Sequence, residues 1–483
     1  MSVSRRELLR SVALGSAGIV LAACQPKVIR ETVVVEKIVK ETVQVEKVVK
    51  EAVEVQKEVT RVVEKVVEKE AAPKPVVTIR IHTNQGDQWF TWWKKAWETN
   101  VGGWRSEHPH VKLAFEPSPG GDPYYAAILT HVAAGTLGDI VWARGVHRSN
   151  LAWAAEYKIV RDLNPLIEKT KHDMSQYYPG VIAQSTYQGK FYYMPHTSEP
   201  TCPALGYNRD YVAKMGVKEP QNDWTFNDLI EWGKALTTKE TWGYHVGSAH
   251  GRSVSTTAEY RQWGVDMVDE AGKTFLPQEK DVANMAACLQ YRNDLIYKHK
   301  TMPPPDAEFP VDAMMVAGKL ASMTIWPVFL GRLPVLVGDK FRVGFVLTPS
   351  VAKGDKRRSR LHEHVHGVTS NSKNPEEAFE VLIFHSSLDF TVQGVLAGMS
   401  ATVGRPDFFH DPRSLKINPQ IALISPVMDT IEKDFLVANW RGAEVEREVG
   451  AVSDLVMLNK LSAREGAEKM KKDCQEVMNR PIA

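Results

Sequence analysis

Between Val77 and Trp142 the spacing of apolar residues switches back and forth between the strand period and the helix period, and this leaves few folds open. Val77, Ile79 and Ile81 alternate, as on one face of a strand, and the turn residues Asn84-Gln85-Gly86-Asp87 follow. Trp89, Trp93 and Trp97 then recur every four residues, which predicts a helix with three indoles along one side. Val111, Leu113 and Phe115 alternate again. Asp122-Pro123 supplies an N-cap and a first helical residue for a helix that carries Tyr125, Ile128, Leu129, Val132 and Ala133 inward and stops at Gly135. The run Asp139-Ile140-Val141-Trp142 reads as a short buried strand of the parallel kind. Strand, helix, strand, helix, strand gives an α/β fold, an open doubly wound sheet flanked by helices, with its ligand site at the carboxyl ends of the strands.

At 483 residues the chain is longer than one core supports, so two lobes are expected. A formal net charge of +2 is too balanced for a protein that binds nucleic acid by neutralising phosphates. No apolar stretch reaches the roughly 18 residues that a membrane-spanning helix needs. Enzyme signatures are missing: there is no Gly-x-Ser-x-Gly elbow, His-Glu-x-x-His helix, phosphate loop or dinucleotide fingerprint, so neither catalysis nor a cofactor is expected. Thr225-Phe226-Asn227-Asp228, Asn374-Pro375-Glu376-Glu377 and Ser462-Ala463-Arg464-Glu465 read as capping boxes that start further helices. Leu320 to Ile325 and Phe341 to Leu347 read as strands, with the prolines at 327, 334 and 349 at edges and turns.

The amino terminus is an address. Arg5, Arg6 and Arg10 precede a short apolar run, Val12 to Ala23, and Ser4-Arg5-Arg6-Glu7-Leu8-Leu9 resembles a twin-arginine export motif. Leu21-Ala22-Ala23-Cys24 resembles a bacterial lipobox, which implies cleavage after residue 23 and lipidation of Cys24. The mature chain then holds 57 basic and 57 acidic residues. Of the forty residues 31–70, fifteen are valine and eighteen are charged, without Gly, Pro or aromatics. Helical and extended conformations are both open to such a segment. It has no bulk for a core, so residues 24–75 are read as a stalk that holds a domain away from the lipid surface.

From residue 76 onward, several phrases in sequence resemble the extracellular solute-binding proteins of family 1, the sugar-binding partners of ATP-driven importers that include the maltose-binding branch. They are Glu107-His108-Pro109-His110-Val111-Lys112, Ala133-Ala134-Gly135-Thr136, Tyr187-Gln188-Gly189-Lys190, Leu205-Gly206-Tyr207-Asn208-Arg209-Asp210, Gly318-Lys319-Leu320-Ala321-Ser322-Met323 and Ser370-Asn371-Ser372-Lys373-Asn374-Pro375. The resemblance implies a two-lobed periplasmic-binding-protein clamp, with residues 76–198 and 367–412 in one lobe and 199–366 and 413–483 in the other. Crossings are implied around Thr197 to Glu199, His364 to Gly367 and His410 to Arg413. The implied partners are a small carbohydrate, the transmembrane permease of an ABC importer, and the membrane through the lipid anchor.

By the same resemblance, Trp142, Arg144 and His147 occupy a ring-stacking and hydroxyl-binding loop, and Glu199 the crossing carboxylate. Trp89 stands where a strand-to-helix loop meets a cleft, Trp326 and Phe329 near the second lobe's stacking position, and Trp440 before a C-terminal helix, at a place where the family often carries a tryptophan that faces the cleft. A sugar has flat apolar faces and a rim of hydroxyls, so aromatic planes and polar groups together suit it.

The chain departs from the family at His362-Glu363-His364-Val365-His366-Gly367. A strand puts the three histidines on one face and Glu363 and Val365 on the other. Such imidazoles can contact a solute, bind a metal or serve structure, and His366 is carried forward as a solute contact. A receptor for a metal or metal chelate, or a sensory solute-binding domain, is the alternative reading. Lys353 to Arg360, with five cations, reads as a solvated loop. Cys202, Cys288 and Cys474 remain beside Cys24, and their odd number predicts at least one free thiol or an intermolecular bond.

The anchoring expectation is tested by Cys24→Ser, which removes the acyl site and should move the protein from the membrane fraction to the soluble one. Retention at the membrane after the signal has been cleaved would contradict it.

Overall fold

The computed structural model describes residues 28–39, 59–70, 74–84, 88–118, 122–144, 151–246, 259–305, 310–397, 404–431 and 438–481. Cys24 and His147 lie outside them, as do the side chains of Trp89 and Arg144. No helix of the described residues is long and apolar enough to cross a membrane. The chain divides into two units, residues 1–76 with 106–110, and the remainder. In the first, β1 (Val28–Val39) and β2 (Val59–Glu70) pair antiparallel, with Val28 opposite Glu70 and Val39 opposite Val59. Of the two conformations open to the valine-rich segment, these residues take the extended one, which suits stiff β-branched side chains.

The second unit opens as the alternating pattern predicts. β3 (Val77–Asn84) is followed by the helix Gln88–Glu98, β4 (Val111–Ser118), the helix Asp122–Ala133 and β5 (Ile140–Arg144). β3 lies between β4 and β5, parallel to both. Ile79 and Ile81 are fully buried, and Trp93 and Trp97 pack below them in the same core. Gly135 ends the second helix with φ at +66°, a left-handed value that glycine takes without a Cβ clash.

A two-stranded hairpin follows, β6 (Thr186–Tyr187) and β7 (Lys190–Phe191). β8 (Met194–Pro200) then leads into β9 (Ala204–Asn208), and the remaining strands are β10 (Ser322–Ile325), β11 (Val343–Leu347) and β12 (Leu361–Val368). The described strands form a five-stranded sheet in the order β4-β3-β5-β12-β8 and a three-stranded sheet in the order β10-β9-β11. β12 runs antiparallel to β5 and β8, and β9 antiparallel to β10 and β11.

The two sheets share one backbone ladder. β8 and β12 pair from Met194 opposite His366 to Pro200 opposite Leu361. Beyond them Thr201 N donates to Arg360 O at 2.8 Å, and Thr348 N to Pro203 O at 2.9 Å, which carries the pairing into β9 and β11. Met194 and Val368 belong to the core that holds Ile79, whereas Leu361, Cys202 and Ala204 belong to the core that holds Phe329. Gly367 sits where the ladder crosses the first core, and a Cβ there would meet Val160 Cγ1 at 2.8 Å and Tyr193 Cδ1 at 2.9 Å.

Several local expectations change. Thr225 and Ser462 form the predicted capping boxes, but Asn374 makes no side-chain cap. Its backbone N donates instead to Ser372 Oγ, which itself bonds Asp139. Pro334 lies inside the helix Val328–Val337 rather than at a turn. The basic run is not a freely solvated loop. Lys353 pairs with Asp223 at 2.8 Å, Arg358 with Asp266 at 2.8 Å, and Arg360 with Glu446, the last pair almost wholly buried. Cys202, Cys288 and Cys474 are buried, and none of them forms a disulfide among the described residues.

Candidate functional site

β3, β4, β5 and β8 all end at one edge of the five-stranded sheet, where β12 begins. β10 and β11 end at the start of β9, with Ile325 and Leu347 both opposite Ala204. The carboxyl ends of both sheets thus meet the β8–β12 crossing, as the ligand rule for open α/β sheets requires.

A row of rings marks this junction. Trp326, which follows β10, stands edge to face on His362, with centroids 5.0 Å apart and planes at 78°. His362 meets His364 at 5.3 Å, His364 meets Trp142 at 5.5 Å, and Trp142 meets Tyr124 at 5.3 Å. The row therefore begins on the second sheet and ends on the first. β12 alternation puts His362 and His364 on one face, opposite Glu199 of β8 and Arg144 of β5 respectively. Tyr124 Oη donates to Trp142 O at 3.0 Å and fixes the far end. Trp142 is 4% exposed and Trp326 5%, and Tyr124 and His362 are buried; His364 is half-buried. The Trp142 indole N–H has no hydrogen-bond acceptor among the described residues.

More polar atoms line the same end of the first sheet. His82 Nε2 and Ser118 Oγ are hydrogen-bonded at 2.7 Å. Burial, with His131 nearby, pushes the His82 imidazole down to about 4, so it is neutral at physiological pH. Next to it, Thr83 Oγ1 and Asn84 Oδ1 are buried without partners among the described residues, as is Thr197 Oγ1 on β8. At the end of the second sheet, Tyr244 and Thr324 hydroxyls are 2.7 Å apart and Gln262 Nε2 donates to Thr348 Oγ1 at 2.9 Å. These residues line a small pocket with Cys202 and Glu259. Burial pushes the Glu259 carboxyl up to about 7 despite Arg292 Nε at 3.5 Å.

Of the residues singled out from sequence, Trp142 and Trp326 come together in the row, and Glu199 lies half-buried in register with His362. His366 goes elsewhere. β8 carries an extra residue at His196, because the register shifts between His364 and Val365. His366, His196 and His385 form a buried imidazole cluster, with centroids 4.4 Å apart for His366–His385 and 3.9 Å for His196–His385. Trp93 stacks on His385 at 3.7 Å. Burial and the two neighbouring imidazoles push His385 well below its ordinary value. Phe329 is fully buried in the second core, with the Arg332 guanidinium 5.6 Å from its ring. Trp440 is half-buried, and one face is covered by the Arg441 guanidinium at 3.9 Å. No group of three or more His, Cys, Asp or Glu among the described residues has the arrangement to hold a metal ion. His82, Ser118, Thr83 and Asn84 were not singled out from sequence, although Asn84 begins the turn that closes β3.

A sheet order of β4-β3-β5 and two sheets joined by the β8–β12 ladder are the architecture of the periplasmic-binding-protein fold. The sequence profile of the bacterial extracellular solute-binding proteins matches residues 83–387, more than half of the chain, and the chain belongs to that family. Among solved structures it is similar to an ABC substrate-binding protein of Listeria monocytogenes in complex with cycloalternan. The TM-score is 0.65 and the identity 17%, over 83% of this chain and 98% of that one. It is also similar to the sugar-binding protein MalE of Xanthomonas citri, with a TM-score of 0.68 and 13% identity over 83% and 97% of the two chains. An ABC transporter solute-binding protein of Agrobacterium vitis with bound D-mannitol has a TM-score of 0.60 and 17% identity over 83% and 97%. No curated protein matches the sequence.

Glu363 yields a test of this junction. It is 2% exposed on the face of β12 opposite the histidines, and burial pushes its carboxyl up to about 8, against the ordinary 4.5. Ser198 Oγ donates to it at 3.3 Å and offsets only part of that rise. The folded state thus keeps a proton that the unfolded chain releases from pH 4.5 upward, so Glu363 costs stability progressively from about pH 4.5 to about pH 8. Glu363→Gln, which cannot ionise, should gain on wild type by on the order of a few kcal/mol between about pH 5 and pH 8.5. Thermal unfolding at both pH values checks this, and an unchanged difference would contradict it.

Proposed function

We propose that this protein is the extracytoplasmic receptor of an ABC importer, lipid-anchored through Cys24, which captures a carbohydrate or polyol and delivers it to the membrane permease. The observation that carries the reading is the junction of the sheets, where aromatic rings and buried polar atoms lie side by side. Rings offer apolar surface to the C–H faces of a sugar, and unpartnered donors and acceptors become favourable once hydroxyls meet them. That distant solved structures of the same fold hold cycloalternan and D-mannitol supports the same class of solute. In this reading residues 76–198 with 367–412, and 199–366 with 413–483, are the two lobes. β8 and β12 are two of the crossings and His410 to Arg413 the third. Closure of such lobes around a solute is the ordinary hinge motion of clamp receptors. Trp89, Trp142, Arg144, His147, Glu199, Trp326 and Trp440 are the proposed contacts.

A thermal-shift screen of the mature protein against mono- and oligosaccharides, polyols and divalent metal ions tests the reading. At least one carbohydrate or polyol should raise the melting temperature in a concentration-dependent way, as a ligand that binds only the native state must. Stabilisation by metal ions alone, or by none of these, would contradict it.

A further inference from the structure

We propose that the His362–His364 pair is the element of this receptor that reads the hydroxyl groups of its solute, with His364 in direct contact and His362 as its positioning residue. The inference rests on the carbohydrate reading above and deepens it.

Position comes first. His364 lies opposite the last residue of β5, at the edge where the carboxyl ends of the first sheet meet β12. His362 lies one strand repeat away toward the second sheet, and Trp326 abuts it from the end of β10. Any solute held between the two sheets passes over these imidazoles.

Exposure singles out one of them. In the row of five rings only His364 is half-buried, and the other four are buried. Its exposed surface lets a solute reach it directly, whereas the buried His362 can only hold it in place.

Preorganisation follows from the ring contacts. His364 is held between Trp142 at 5.5 Å, with planes at 87°, and His362 at 5.3 Å, with planes at 68°. His362 is held in turn by Trp326, with planes at 78°. An imidazole fixed on both sides gives up little freedom when a ligand arrives, which preserves binding free energy.

The chemistry then suits a hydroxyl. A neutral imidazole presents one donor and one acceptor, and a hydroxyl group is both. Beside it the buried Trp142 indole N–H, without an acceptor among the described residues, supplies a further donor. A solute hydroxyl that accepts from the indole and exchanges a hydrogen bond with His364 would satisfy a group whose isolation otherwise costs free energy. A hydroxyl donates and accepts at once and so meets both groups, which suits the geometry to a polyhydroxylated ligand.

The test is calorimetric titration of the mature protein with maltose, cycloalternan and D-mannitol, in wild type, His364→Phe and His364→Gln. Phenylalanine keeps a ring between Trp142 and His362 but cannot hydrogen-bond, and glutamine does the reverse. For the probe that wild type binds best, His364→Phe should lose affinity about tenfold or more, and His364→Gln clearly less. The melting temperature without ligand should move by less than about 3 °C in either variant. Affinity of His364→Phe within about twofold of wild type would overturn the inference while leaving the carbohydrate reading intact. Should the phenyl ring not be accommodated, His364→Ala, a truncation at an already half-exposed edge, replaces it in the titration, with the same loss expected and the same twofold limit overturning the inference. If wild type binds none of the three probes, the titration uses the carbohydrate or polyol that stabilises it most in the thermal-shift screen; if none does, the reading fails and the inference with it.

Discussion

The pairing of β8 with β12 is the interaction on which the rest of the second unit depends. Each strand starts in one apolar core and ends in, or leads into, the other, and the hydrogen bonds between them pass into β9 and β11. A two-stranded ladder of this kind resists shear, because sliding by one residue would move every side chain to the opposite face. It still bends, since two strands make a narrow ribbon, and the bulge at His196 increases its local twist. The buried Arg360–Glu446 pair ties the start of β12 to the helix Gly442–Met457, whose Val445, Val449, Val452 and Val456 belong to a third core together with Trp142 and Val365. Removing one partner would strand a buried charge, which makes this attachment costly to break.

Burial also sets the electrostatics around the ladder. Glu363 of β12, His82 of β3 and His385 of the helix Pro375–His385 are held away from water and favour their neutral forms. His385 is held far below its ordinary value, His82 at about 4 and Glu363 at about 8, each chiefly by burial. Ion pairs occur at both depths, and Arg360–Glu446 is buried. Lys353–Asp223 and Arg209–Glu219 lie exposed at the surface, where such pairs contribute little to stability.

Much of the first sheet was legible in the sequence because both periods are clean there. Val77, Ile79 and Ile81 mark a strand and the tryptophans mark a helix, since one face of each must be buried. Glycine and capping residues marked the ends for equally local reasons. The site was less legible, because its parts come from β3, β5, β10 and β12, which are far apart in the chain and meet only through the sheet order. Trp142 and Trp326 were found by resemblance, whereas His82 and Thr83 carry no pattern that separates them from other strand residues. His366 was grouped with its neighbours by strand alternation, and its ring contacts with His196 and His385 were not legible because His385 comes from a helix distant in sequence. The basic run before β12 was read as solvated because its acidic partners, Asp223, Asp266 and Glu446, are distant in sequence.

In the proposed function the solute sits where the ends of both sheets meet the crossing, against the row from Trp326 to Trp142. The most direct measurement is a crystal structure of the mature protein with its best-binding carbohydrate. The account predicts solute density in hydrogen-bond reach of His364 and in contact with Trp326, with the β8–β12 ladder unbroken. Density in another part of the molecule, against Trp440 and Arg441 for example, with the His362–His364 rings out of reach of the solute, would contradict it.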